Sequence, residues 1–155
     1  MPDKLKVALP SDREIVVTRM FDAPPKLIFE AHTKPELLKR WQLGPEGWSM
    51  PICEIDLRPG GAYRYGWSHP QQPSFEISGT FKEIDPPHKI VHVERFEGNE
   101  SLATLELKEQ PGGKTRLTYT MLFASKEARD GALATGMTDG MESSYAGLDR
   151  ILAHA

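Results

Sequence analysis

Residues Ile52-Cys53-Glu54-Ile55-Asp56-Leu57-Arg58-Pro59-Gly60-Gly61, followed by Ala62-Tyr63-Arg64-Tyr65-Gly66-Trp67, decide the architecture. Successive side chains of a strand point to opposite faces, so each half of this stretch reads as a half-buried strand. Between the halves, Pro59 presets one backbone torsion and Gly60-Gly61 supply torsions that other residues avoid, which reverses the chain. Arg58 braces that turn or pairs with a carboxylate. The same grammar continues, with period-two segments near 50–57, 62–68, 75–84, 89–96, 102–109 and 115–123. Turn residues separate them at 59–61, 70–73, 85–87, 98–99 and 111–113. Such short turns join antiparallel neighbours, because parallel ones need long crossovers.

Working outward, Glu14 to Phe21 is β-branched and reads as a first strand. Asp22-Ala23-Pro24-Pro25 opens a helix, with Asp22 as its cap and proline in the first turn. Thr33, Pro35 and Glu36 open a second, with Thr33 as cap, and Leu37, Leu38 and Trp41 follow at helical spacing. Ser125 to His154 reads as one long helix, with Met137, Met141, Ser144, Tyr145, Leu148, Ile151 and Leu152 along one side. A sheet with one apolar face must bury it, and this helix is the only element long enough to do so. The expected fold is α+β, a curved antiparallel sheet wrapped around a long C-terminal helix, with two short helices after the first strand. Residues 1–12 read as a flexible polar arm and 13–155 as a single domain.

Composition narrows the function classes. With 39% hydrophobic and 26% charged residues the chain matches ordinary soluble globular proteins. Net charge is −3 and the cations are scattered, unlike the basic stripe that neutralises nucleic-acid phosphates. No apolar run approaches the roughly 20 residues needed to span a bilayer, so membrane insertion is not expected. The single cysteine, Cys53, permits no intrachain disulfide and fits a reducing cytoplasm.

Catalytic and metal patterns are lacking. His88 and His92 stand roughly 13 Å apart if they lie on one strand, and no metal-ligand spacing occurs, so neither metal nor cofactor is expected. Cys53 has no adjacent histidine, and no nucleophile elbow or phosphate-cradling loop is present. Glu54 and Asp56 share a strand face and fit a solvated outer surface better than an acid/base pair. His92 is different. It alternates with Ile90 and Glu94 against Val91 and Val93, which leaves the inward face of that strand open. If Ile90 points inward, an imidazole enters the interior, where it can orient or protonate a ligand.

Arg19-Met20-Phe21-Asp22-Ala23-Pro24, Phe29-Glu30-Ala31-His32-Thr33, Trp41 with Gly44-Pro45, Ile55 to Gly61, Ser78-Gly79-Thr80-Phe81 and the Gly136-Met137 region occur in an order that resembles the SRPBCC (START-like) superfamily. The branch they resemble is that of the C-terminal domain of the heat-shock chaperone ATPase activator. The resemblance spans about residues 14 to 153 and implies a helix-grip fold, with a pocket between helix and sheet that accepts apolar small molecules in relatives. On that fold Trp41, Trp48, Tyr63, Tyr65, Trp67, Phe75, Ile77, His92, Met137, Met141 and Tyr145 are the expected pocket lining, although the tryptophans and methionines also suit a solid core. Non-catalytic binding of a hydrophobic or aromatic small molecule is the leading expectation. Binding to a heat-shock chaperone is the second, and a polyketide cyclase or aromatase activity using His92 the third. An exposed sheet edge also permits a homodimer.

Overall fold

The computed structural model describes residues 4–154. Its elements are β1 (Lys6–Ala8), β2 (Glu14–Phe21), α1 (Pro25–Thr33), α2 (Pro35–Leu38), β3 (Ser49–Ile55), β4 (Ala62–His69), β5 (Gln72–Asp85), β6 (Lys89–Phe96), β7 (Asn99–Gln110), β8 (Lys114–Phe123), α3 (Lys126–Ala134) and α4 (Met137–Leu152). All eight strands form one sheet in the order β1-β2-β8-β7-β6-β5-β4-β3, and every neighbour is antiparallel. The run β3 to β8 is the meander expected from the turns. β2 closes against β8, and α1 with α2 carries the chain from β2 to the far edge at β3. Register shifts in β3/β4, β4/β5 and β5/β6 mark irregularities of the kind that bend and twist a sheet. This is the α+β helix-grip arrangement, with α4 against the concave face.

The opening hairpin uses its glycines in two different ways. Gly60 adopts φ +83°, a left-handed torsion that side chains disfavour. At Gly61 space is the constraint, since a Cβ there would collide with the Asp56 carbonyl. Arg58 pairs with Asp56 at 2.9 Å on the outer surface, where Glu54 is also exposed.

Four details depart from the sequence reading. The segment read as a flexible arm contains β1, which pairs with β2, and Leu5 donates its N–H to Glu142 at 2.9 Å. Its backbone completes an otherwise open edge, a gain that a side-chain pattern does not record. Asp22 does not cap α1 and Thr33 does not cap α2. The caps are Pro24 and Lys34 in extended conformation, and the Thr33 hydroxyl donates back to Phe29 O at 2.9 Å. The C-terminal helix is two helices, because Gly136 takes φ +79° between α3 and α4, while the Ser125 hydroxyl caps α3 by accepting from Ala128 N–H. The loop at 70–73 is tighter than expected, since His69 already pairs with Gln72.

The main core lies between the concave face and the helices. Phe21, Leu107 and Leu117 from the sheet meet Ile28, Phe29 and Leu38 from α1 and α2, and Tyr145 and Leu148 from α4. A second cluster of Ile15, Val17 and Met121 lies under Leu133, Met137 and Met141. Arg19 sits among these apolar groups at 4% exposure. Its guanidinium donates to both carboxylates facing it from α4, Glu142 at 2.9 Å and Asp149 at 2.8 Å, and lies 4.9 Å from the Phe21 ring centre. Burial opposes the charge, but the two carboxylates outweigh that effect and leave the Arg19 pKa raised.

Candidate functional site

Pairing register resolves the face that the sequence left open. Ile90 is buried in the core, so His92, Glu94 and Phe96 share its concave side. Across β5 the same side carries Phe81, Gly79, Ile77 and Phe75, and on β4 Tyr63, Tyr65 and Trp67. These side chains form a continuous aromatic band. Tyr63 stacks on Tyr65 at 5.0 Å, Trp67 stacks on Phe75 at 5.1 Å, and Phe75 meets Trp48 at 5.3 Å and Phe96 at 5.9 Å.

His92 anchors a polar cluster at the inner end of the band. Its Nδ1 lies 2.6 Å from the Tyr63 hydroxyl and its Nε2 3.2 Å from the Tyr119 hydroxyl. Neither phenol is on a neighbouring strand, so each must cross one. Tyr63 crosses β5 over Gly79, where a Cβ would collide with the Tyr63 hydroxyl and with the Val93 carbonyl. Tyr119 reaches His92 across β7, where the residue opposite His92 is the small Ala103. A neutral imidazole has one N–H and one lone pair, so one phenol donates to His92 and the other accepts. Burial keeps the ring in that neutral state by pushing its pKa down to about 4.

Glu94 stands one step further along the same face. Burial raises its carboxyl pKa to about 7, and its charge in turn helps to raise Tyr63, Tyr65 and Tyr119. Yet Glu94, His92, Tyr65 and Tyr119 all retain accessible surface. This part of the concave face is therefore covered incompletely by the rest of the chain.

The remaining expected lining residues divide. Trp41 and Tyr145 stack on each other at 5.8 Å in the packed core, and the Trp41 indole donates to Ala31 O at 3.0 Å. Met137 and Met141 are half-buried against the second cluster, and Ile77 is half-buried beside the band. Trp67 is buried and donates to Gln42 O at 2.8 Å. Cys53 is half-buried with its thiol pKa pushed up by desolvation, which disfavours the reactive thiolate. Glu94, Phe96 and Tyr119 were absent from the expected lining. The alternation Ile90-His92-Glu94 is the signal that links the first of them to His92, once Ile90 is known to face inward.

Elsewhere, an open depression of about 540 Å³ lies on the convex face among Thr80, Lys82, Val93, Arg95 and Glu100. There Arg95 is satisfied by Glu100 at 2.7 Å and Thr80 at 3.0 Å. His88 accompanies Leu107 O at 3.1 Å and is unconnected with His92. Among the described residues no group of three or more His, Cys, Asp or Glu is placed to hold a metal ion, and no helix is long and apolar enough to cross a membrane.

A curved antiparallel sheet gripping a terminal helix, with an aromatic and partly polar concave face, defines a helix-grip protein. The chain belongs to the family described as Activator of Hsp90 ATPase homolog 1-like protein, which matches residues 22–153. A crystal structure of a Rhodobacter sphaeroides protein is 32% identical, with 97% of this chain and 99% of that one aligned at TM-score 0.90. A Nitrosomonas europaea protein is 26% identical over 94% and 97% of the two chains at TM-score 0.83. An HSP90 activator from Plasmodium falciparum is 26% identical over 91% and 96%, at TM-score 0.67. No curated protein matches the chain.

Proposed function

We propose that this chain binds an apolar or aromatic small molecule in the recess between α4 and the concave face of the sheet, without transforming it. The observation that carries the reading is the aromatic band from Tyr63 to Phe75, which α4 leaves partly uncovered and which ends at the His92 cluster. Phe75, 36% exposed, extends that band outward against Trp48 and Phe96, and a contiguous aromatic surface of this kind is the informative feature. Native mass spectrometry of the purified protein, with Nile red fluorescence alongside, tests the reading. A co-purifying mass, or saturable Nile red fluorescence weakened in Phe75→Ala, supports it. A bare mass together with absent or Phe75-independent dye binding overturns it.

A second reading follows from the likeness to the Plasmodium HSP90 activator. Under it, the domain engages a heat-shock chaperone through its outer surface. Stimulation of the ATPase activity of an Hsp90-type chaperone by the purified chain supports that role, and unchanged turnover at saturating chain removes it.

A further inference from the structure

We propose that the ligand carries a protonated amine, held by Glu94 and the aromatic walls around it; this rests on the reading that the recess takes an apolar small molecule. Among the described residues, no donor and no cation meets the Glu94 carboxylate, which is half-buried on the concave side. Arg95, next in the chain, points to the convex face, where Glu100 and Thr80 hold it. In register, Glu94 is flanked by Gly79 and Ser101, the first already covered by the Tyr63 ring. A half-buried carboxylate that no group among the described residues answers is held by solvent alone, so a cationic ligand group resting on the same face can take that place.

The surroundings select the sign of that partner. Tyr63, Tyr65 and Phe96 offer π-systems, whose negative faces attract an ammonium. His92 is neutral with both ring nitrogens engaged by phenols, so it presents no positive charge to an acid. At about pH 8, where Glu94 is ionised, an anionic ligand would meet it as a like charge, so ligand competition is to be run at that pH. A neutral alcohol would gain one ordinary hydrogen bond, whereas an ammonium gains a charge-assisted one, which is roughly twice as strong.

Tryptamine, tryptophol and indoleacetate share a ring and differ in the charge of the terminal group, which makes them suitable competitors against Nile red. Tryptamine is expected to displace the dye at concentrations about tenfold below tryptophol, with indoleacetate weakest. Glu94→Gln should abolish the amine advantage while still binding Nile red. Glu94→Met replaces it if the glutamine variant does not fold. Equal or better displacement by tryptophol or indoleacetate overturns the proposal, as does an amine preference that survives loss of the carboxylate. Failure of the native protein to bind Nile red withdraws the recess reading and this proposal with it. Dye binding without amine preference overturns the proposal alone.

Discussion

The two ends of the concave face are built from similar residues and finished differently. At one end Phe21, Leu117, Trp41, Tyr145 and Leu148 interlock with almost no exposed surface, and Arg19 locks α4 in place through two carboxylates. At the other, Tyr65, Ile77, Phe96, His92 and Glu94 are half-buried, and the Glu94 carboxylate has no partner among the described residues. At the closed end Arg19 is answered by two carboxylates and, among the described residues, only the buried His32 Nε2, beside Trp41 and Tyr145, lacks a partner; at the open end the side chains stay half-covered and Glu94 is unanswered among those residues. Such a difference separates a region that holds the fold from one available to a ligand.

Breaking the closed end should have the largest effect. Arg19→Ala leaves Glu142 and Asp149 facing an empty, partly apolar socket and removes the tie between β2 and α4. Loss of one member of a buried ion group costs about 3–5 kcal/mol, and denaturant unfolding should show a decrease of that order. A change under about 1 kcal/mol would mean that α4 is held by its apolar side alone.

The junction between the ends is sensitive at Gly79. In Gly79→Ala the added methyl displaces the Tyr63 ring and meets the Val93 carbonyl, so the Tyr63–His92 contact must open. The expected cost is about 1–3 kcal/mol, typical of overpacking. His92 should then regain solvent, and its NMR titration should move upward from about 4 toward the ordinary histidine range. An unmoved titration would show that Tyr63 does not shelter the imidazole.

How much of this could be read beforehand differs between the two ends. The meander, the two short helices and the closing role of the terminal helix all follow from period and turn chemistry, since those are local signals. So does the outward setting of Glu54 and Asp56. The grouping of Tyr63, His92 and Tyr119 was hidden, because it depends on which strands become neighbours and on two small residues, Gly79 beneath the Tyr63 ring and Ala103 opposite His92. The Arg19 clamp was hidden for the same reason, being separated from Glu142 by 123 positions in the chain. Glu94 illustrates a further limit. A carboxylate on a strand is ordinarily outward, and only the burial of Ile90 reverses that expectation.

Acid–base behaviour sharpens the comparison at the open end. Glu94 holds its proton up to about pH 7 in the fold and only to the ordinary carboxylate range when unfolded. Its contribution to stability is therefore present below about pH 4.5 and lost as pH rises through 7. His92 acts in the opposite sense. Held neutral down to about 4, it favours the fold above pH 6.5 and loses that contribution as pH falls through 4. Buried His32 has the same sign, with its pKa likewise near 4. Comparing wild type with Glu94→Gln isolates the first effect. The melting temperature of the variant relative to wild type should rise between pH 5 and 8, by an amount corresponding to about 1 kcal/mol once the accessible part of the carboxylate is discounted. A constant difference over that range would show that the carboxylate is already ionised in the fold and finds its partner in solvent.

The smallest expected effect on stability falls on Phe75. Its ring is 36% exposed and its contacts are with Trp67, Trp48 and Phe96 at the outer end of the aromatic band, away from the interlocked core. Removing an ordinary core phenylalanine costs about 3–5 kcal/mol. Phe75→Ala should cost much less, about 1 kcal/mol or below, because little of the surrounding structure depends on it. The same change removes one wall of the aromatic band and should weaken Nile red binding by about tenfold, as expected for a large buried contact surface in the bound state. Stability and binding would then separate at one residue, as the contrast between the two ends requires. A Phe75→Ala variant that loses stability like a core mutant would place this ring in the fold's own packing and shift the boundary of the recess inward, toward Tyr65 and Glu94.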